Sequence, residues 1–298
     1  MNNINNMKSI IFLLFLLSAP SFAQDDLEAL LNKEVAQNQT IFTSATFKST
    51  RLQNGHTIER TNRGELELRI HHRFGKISSG FDNFFGLDES SSLISLEYGL
   101  TDWMMVGVGR ATIDKAWNGF TKFSILRQSE GTIQMPVSVS YLAQISYITI
   151  PKSTYSPYNT PTNRSFYTHQ LLIARKFSPS LSLQAMPTLV HRNLVDEPNA
   201  NDLYSLGLGG RYKFTKWVAL CAEYYYIANN DIIAGNKYKD AYSIGVDIDT
   251  GGHVFQILLS STPYLLEHQF LSRSNGSFSD GSVCIGFNIM RTFSLFDK

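Results

Sequence analysis

The sequence predicts an all-β protein, a closed antiparallel transmembrane β-barrel of about 12 strands with short periplasmic turns and longer extracellular loops. Three observations predict it. From Glu65 onward apolar residues recur with period two, as on a strand whose two faces meet different surroundings. Most of the alternating segments run nine to twelve residues. A tilted strand needs about 9 to 11 residues to cross a bilayer, whereas strands of soluble sheets average about 5 to 6. Finally, short and long connections alternate along the chain, as they do when turns face the periplasm and loops face outward.

Composition fits a folded, exported chain. Of 298 residues 43% are hydrophobic and 17% charged, and Lys plus Arg (26) nearly cancels Asp plus Glu (25). That balance argues against a disordered tail and against nucleic acid as a partner. Two cysteines support neither a disulfide scaffold nor a cysteine-ligated metal site. Residues 1–23 read as a signal peptide: Lys8 opens it, Ile10 to Leu17 is its apolar run, and Ser21-Phe22-Ala23 places small residues at a cleavage site. The mature chain is expected to begin at Gln24, with an N-terminal periplasmic segment over 24–64 and the barrel over 65–293.

The first strand is the clearest. In Glu65 to Phe74 one parity carries Leu66, Leu68, Ile70, His72 and Phe74, and the other Glu65, Glu67, Arg69, His71 and Arg73. Further strands are expected at 92–100, 103–111, 118–128, 136–150, 166–177, 180–191, 203–214, 217–228, 240–249, 253–261 and 282–291. Two of them, 180–191 and 253–261, carry apolar residues on both parities. Tight turns are expected at Thr101-Asp102, Ser178-Pro179, Thr215-Lys216 and Thr250-Gly251-Gly252. The connections 75–91, 112–117, 151–165, 192–202, 229–239 and 262–281 are longer and polar, and 129–135 is intermediate. Aromatic residues form two expected girdles. Trp103, Phe177, Phe214, Trp217 and Phe293 lie at the turn end; Tyr147, Phe166, Tyr167, Tyr224, Tyr225, Tyr226 and Tyr242 lie toward the loops.

Ahead of the barrel, Asp25 to Glu34 spaces Leu27, Leu30 and Leu31 as a short amphipathic helix would. Ile41 to Phe47 is strand-like, and Asn54-Gly55 signals a hairpin. This segment is expected to plug the barrel, cap its periplasmic mouth, or dock a periplasmic protein, or else to be a loosely ordered leader. As a plug, its Lys48 and Arg51 would pair with lumen acids such as Glu65 and Glu67.

Chemistry-bearing motifs are sparse. His71 and His72 are adjacent and point to opposite strand faces, and no HExxH spacing occurs, so no metal site is expected. No histidine is followed two residues later by serine, as a barrel hydrolase of the outer-membrane phospholipase kind would require. Gly207, Gly209 and Gly210 sit within a strand, where small residues make room for neighbouring chains. No catalytic residue and no cofactor are expected, and Cys221 and Cys284 fall on non-neighbouring strands as free thiols. The functional lead is the polar parity, which in a membrane barrel faces the lumen. It supplies Glu65, Glu67, Arg69, His71, Arg73, Glu97, Arg211, Lys213, Glu223, Asp247 and Asp249.

The runs Ala45-Thr46-Phe47-Lys48-Ser49-Thr50, Asn54-Gly55-His56-Thr57, Glu65-Leu66-Glu67-Leu68 with His72-Arg73-Phe74-Gly75, Tyr98-Gly99-Leu100-Thr101-Asp102-Trp103, Gly252-His253-Val254-Phe255-Gln256, and Gly286-Phe287-Asn288 with Arg291 and Phe293 occur in this order. Over about residues 40 to 293 the chain resembles a gram-negative outer-membrane β-barrel family of unknown function. The resemblance implies fold and location and carries no activity. The functional expectation is a narrow passive channel for small hydrophilic solutes in the cell outer membrane. The alternatives are a structural or docking barrel with a filled lumen, acting through its loops or N-terminal segment, and an outer-membrane hydrolase. The expected partners are outer-membrane lipid and a periplasmic or surface protein, which aromatic loops such as Phe81, Phe84 and Phe85 or Tyr155 and Tyr158 would suit.

Overall fold

The computed structural model describes residues 39–151, 159–229, 232–233 and 236–295. The expected signal peptide, the expected helix at 25–34, and Tyr155 and Tyr158 lie outside the described residues. The described chain forms two compact units. In the smaller, Thr40–Phe42 pairs antiparallel with Ser129–Gly131. The larger is a closed barrel of twelve strands, each hydrogen-bonded to its sequence neighbours and the last to the first.

The barrel strands are β1 (Glu65–Lys76), β2 (Ser90–Gly99), β3 (Met104–Ala111), β4 (Trp117–Leu126), β5 (Ser138–Tyr147), β6 (Ser165–Lys176), β7 (Leu181–Arg192), β8 (Asp202–Lys213), β9 (Val218–Ile227), β10 (Ala241–Asp249), β11 (His253–Ser260) and β12 (Cys284–Ser294). Their limits differ from the expected ones by a few residues: β1 runs on to Lys76, β5 is shorter at both ends, and β12 extends to Ser294. Period-two alternation holds, and Ile94, Leu96, Leu171, Leu206, Leu208, Ile244 and Ile257 are exposed on the outer wall. Burying that outward band in hydrocarbon is what the membrane supplies.

Three of the four tight turns share one construction. At 100–103, 177–180 and 214–217 the N–H groups of Leu100 and Thr101 donate to Met104 O, those of Phe177 and Ser178 to Leu181 O, and those of Phe214 and Thr215 to Val218 O. Thr101, Ser178 and Thr215 then accept N–H donors two residues ahead on their side-chain oxygens. These hydroxyls cap the turn in place of ladder partners. Each turn is therefore two residues longer than the sequence suggests. The fourth, after β10, uses Gly251 at φ 85°, a conformation only glycine adopts freely.

Two girdle assignments are corrected. Trp103, Phe177, Phe214, Trp217, Tyr167, Tyr224 and Tyr226 are exposed on the outer wall, but Tyr225 and Phe166 are buried inside. Strand alternation requires this of Tyr225, which lies between two outward tyrosines. Phe166 stacks on His268 with ring centroids 4.4 Å apart.

The barrel is filled from both ends. From the turn end, residues 43–63 enter as a plug whose tip is a hairpin, with Arg51 and His56 bridged and Thr57 N donating to Thr50 O at 2.9 Å. From the loop end, connection 261–283 folds inward and carries the helix α1 (Glu267–Arg273), of which Glu267 to Ser272 are buried. An apolar core forms between these insertions and the β6–β10 wall, uniting Phe47, Leu52, Ile58, Met186, Val190, Tyr225, Phe270 and Leu271. That core explains why 180–191 carries apolar residues on both parities: Met186 and Val190 face the plug while Leu183 and Leu189 face outward. The segment expected as a strand from Ile41 to Phe47 is a strand only to Phe42, and Phe47 turns into this core.

Candidate functional site: the occupied lumen

The plug tip sits in a receptor built from side chains of the barrel wall. Glu223 accepts the N–H groups of Asn54 and Gly55 at 2.6 and 3.1 Å. Arg73 donates to Gln53 O and to the Asn54 side chain at 2.9 and 2.8 Å. Gln256 donates to Leu52 O at 2.7 Å, Asn288 to Gln53 O at 2.9 Å, and Gln184 to His56 O at 2.8 Å. Lys122 Nζ meets three plug carbonyls, those of Thr50, Thr57 and Glu59, at 3.3, 3.0 and 2.6 Å. Bonds to the ionised groups among these are each worth roughly 1.5–3 kcal/mol net, the neutral ones about half as much.

Glycines give the plug its clearance. A Cβ on Gly55 would lie 1.7 Å from the Tyr225 hydroxyl oxygen, and one on Gly209 would lie 2.3 Å from Leu52 Cδ1. Gly55 therefore serves close approach, and its backbone is not in the left-handed region that an Asn-Gly hairpin turn ordinarily uses.

Charges meet at the centre. Arg69 Nη2 lies 2.6 Å from Glu67 Oε1, and Arg51 Nε and Arg69 Nε lie 3.7 and 3.8 Å from Glu97 Oε1. Thr50 Oγ1 donates to Glu97 at 2.7 Å. Arg51 Nη1 reaches across to Glu267 of α1 at 3.0 Å, and Gln144 donates to the other Glu267 oxygen at 2.8 Å. The plug and the inward-folded loop thus grip each other inside the wall. The expected pairing of the plug cations is corrected: Arg51 pairs with Glu97 and Glu267, and Lys48 pairs with Asp249 at 2.7 Å. Side-chain reach fixes this, since Lys48 enters beside the β10 turn and Glu65 stays at the rim, accepting from Asn62 at 2.9 Å.

Of the eleven residues singled out from the sequence, Glu67, Arg69, His71, Arg73, Glu97, Glu223 and Asp247 are buried in the interior. Arg211 joins Asp247 at 3.7 Å, Asp249 holds Lys48, and Glu65 and Lys213 are half-buried near the turn end. Glu267 of α1 is buried in the interior as well, and so are the wall residues Lys122, Gln144, Gln184, Gln256 and Asn288, none of which was singled out. Their strands carry apolar inward residues beside them, Phe120 next to Lys122 and Leu258 next to Gln256, which masks the alternation. A lone lysine amid Phe120, Thr121 and Phe123 was the available signal.

A nucleophile–base geometry occurs on the outer wall, where His72 Nδ1 lies 2.9 Å from Ser92 Oγ. The ring is stacked on Phe287 at 4.9 Å, and none of the described carboxylates bonds its other nitrogen. The third member that orients a catalytic base is missing among the described residues. Cys221 and Cys284 are buried free thiols.

A family described as "Membrane bound beta barrel domain" (DUF5777) matches residues 47–293. The chain belongs to that family. The match takes in the plug from Phe47 as well as all twelve strands of this DUF5777 barrel. Closed antiparallel barrels with short turns at one end and long loops at the other reside in outer membranes, and this is an outer-membrane protein. No curated protein matches the chain in sequence. Among solved structures it is similar to the KdgM porin (8% identity, TM-score 0.47, 77% of this chain and 99% of that chain covered). It is also similar to the NanC porin (10%, 0.45, 76% and 98%) and to an outer-membrane channel from Pseudomonas putida F1 (10%, 0.48, 79% and 97%).

Proposed function

We propose that this DUF5777 barrel is an outer-membrane channel for small hydrophilic solutes, closed in the present conformation by its plug and its inward-folded loop. One observation carries the reading. Along a single cross-strand row of the β1–β5 wall, Arg69 stands opposite Ser95, Ser95 opposite Gly109, Gly109 opposite Asn118, and Asn118 opposite Ser146. The Ser95 and Ser146 hydroxyls, both Asn118 amide atoms and both His71 ring nitrogens are buried with no hydrogen-bond partner among the described residues. Unpaired buried polar groups cost roughly 1–3 kcal/mol each, and a wall meant only to pack a dry plug gains nothing from them. A wall along which water and hydroxylated or charged solutes pass needs them. The β6–β10 wall supplies most of the wall side chains of the apolar core packed against the plug, Met186, Val190 and Tyr225 among them.

A structural or docking barrel is the second reading, favoured by the wall side chains that bind plug backbone at hydrogen-bond distance. Single-channel recording of the purified mature protein in planar bilayers separates the two. The channel reading expects small discrete conductance steps, larger and more frequent when Gly55→Val expels the plug tip. A bilayer that stays silent for both proteins supports the sealed barrel.

A further inference from the structure

On the outside of the wall, in the loop-side half of strands β6 to β9, lies an open groove of about 540 Å³, within the roughly 300–1,000 Å³ of small-ligand sites. Two adjacent cross-strand rows build it. In one, Tyr141 stands opposite Leu171, Pro187 opposite Leu206, and Leu206 opposite Tyr226; in the other, His169 stands opposite Leu189 and Leu189 opposite Tyr204. Leu171, Pro187, Leu189 and Leu206 make the floor, Tyr141 and His169 one bank, and Tyr204 and Tyr226 the other. His169 on β6 and Tyr204 on β8 are two strand spacings apart, about 10 Å, which leaves room for a single hydrocarbon chain between the banks. Pro187 keeps the middle of the floor low at the expense of the ladder: pairing between β6 and β7 stops after Gln170–Thr188 and resumes at Ile173–Ala185. One bank is polar. His169 is exposed on the outer wall between Tyr167 and Phe177, an aromatic residue of each girdle. Tyr141 Oη and His169 Nδ1 are 2.7 Å apart with the rings stacked at 6.1 Å, and His169 Nε2 has no partner among the described residues.

A ring nitrogen turned toward hydrocarbon without a partner is costly, and a polar residue kept at such depth marks a site. We propose that this groove binds one acyl chain of an outer-leaflet lipid, an ester or amide carbonyl of which accepts a hydrogen bond from His169 Nε2. The phenol is the stronger donor of the Tyr141–His169 pair, so its O–H donates to Nδ1 and fixes the tautomer that carries its hydrogen on Nε2. The exposed Leu171, Leu206 and Leu208 of the same wall require a hydrocarbon surrounding, so the occupant is drawn from the bilayer. Placement toward the loops makes it the outer leaflet. The site lies outside the barrel and does not depend on whether the lumen conducts.

Native mass spectrometry of the full mature chain, delipidated in non-ionic detergent and titrated with ester-linked dioleoyl phosphatidylethanolamine, tests it. A single lipid per chain should be retained ahead of any other. His169→Leu, and separately an ether-linked lipid that lacks the carbonyl, should each weaken that first binding by about tenfold, the worth of one hydrogen bond. Leu189→Trp, which fills the floor, should abolish it, and Ile257→Trp, on the exposed outer wall of β11, should leave it unchanged. His169→Leu takes a polar ring out of hydrocarbon and keeps the barrel folded, which heat-modifiable gel mobility checks. Failure of the native chain to retain a lipid, native affinity in His169→Leu, equal affinity for the ether-linked lipid, or a dimer formed through this wall in place of bound lipid overturns the proposal.

Discussion

Replacing Glu267 with Gln tests whether the inward-folded loop and the plug lock each other. Arg51 Nη1 would lose its anionic partner at 3.0 Å and keep the Asn54 carbonyl at 3.1 Å, while Arg51 Nε retains Glu97 at 3.7 Å. Gln144 keeps an oxygen or gains a poor neighbour, depending on how the new amide turns. Removing one partner of a buried pair costs about 3–5 kcal/mol, because the remaining charge stays buried. With Glu97 still present the lower end applies, about 3 kcal/mol, or somewhat more than a hundredfold in the closed-to-open ratio at about 1.4 kcal/mol per tenfold. Two measurements follow: the open fraction in single-channel records, and the urea midpoint in vesicles. Both should shift toward opening and lower stability. Arg51→Met combined with Glu267→Met should recover most of the stability, since apolar replacement removes both desolvation costs together. A Glu267→Gln protein that unfolds and conducts as the native one does would show that the pair holds nothing.

Gly55→Val places a side chain into the Tyr225 hydroxyl, where a Cβ alone would lie 1.7 Å away. Overpacking of this kind costs about 1–3 kcal/mol or expels the tip, and protease cleavage within residues 43–63 should accelerate while the barrel keeps its gel mobility. Leu208→Arg puts a charge on an outer-wall side chain that is 53% exposed, at a cost of about 2–4 kcal/mol near the midplane. Gly207→Arg instead strikes Tyr225, whose ring carbon would lie 2.6 Å from the new Cβ, and should loosen the plug more than the barrel. Acidification should release the inward loop. His268 is held well below the ordinary imidazole range by burial and by Arg273 and Arg192. A folded-state value below the unfolded one means the stabilisation is complete above about pH 6.5 and is lost progressively as pH falls below that. His268→Phe, which preserves the stack on Phe166, should flatten that part of the urea-midpoint curve; an unaltered curve would assign the pH response elsewhere.

The outward half of the barrel was legible in the sequence because one uniform environment dictates it. Hydrocarbon demands an apolar residue at every second position, so Leu206, Leu208 and Ile244 announce strand, facing and membrane together. Turn positions were legible for a local reason: Thr101, Ser178, Thr215 and Gly251 act within a few residues of themselves. The inward half obeys no such rule. Whether an inward position is apolar, like Met186 and Val190, or polar, like Lys122 and Gln256, depends on which part of the plug or of α1 arrives there from 60 to 200 residues away in the chain. The same distance hid Glu267, which reads as an ordinary loop acid until the loop folds inward and Arg51 meets it. Strand parity placed both signs of charge in the lumen; only the tertiary structure decided which of them pair, because pairing there is set by side-chain reach across a closed barrel and not by neighbourhood along the chain.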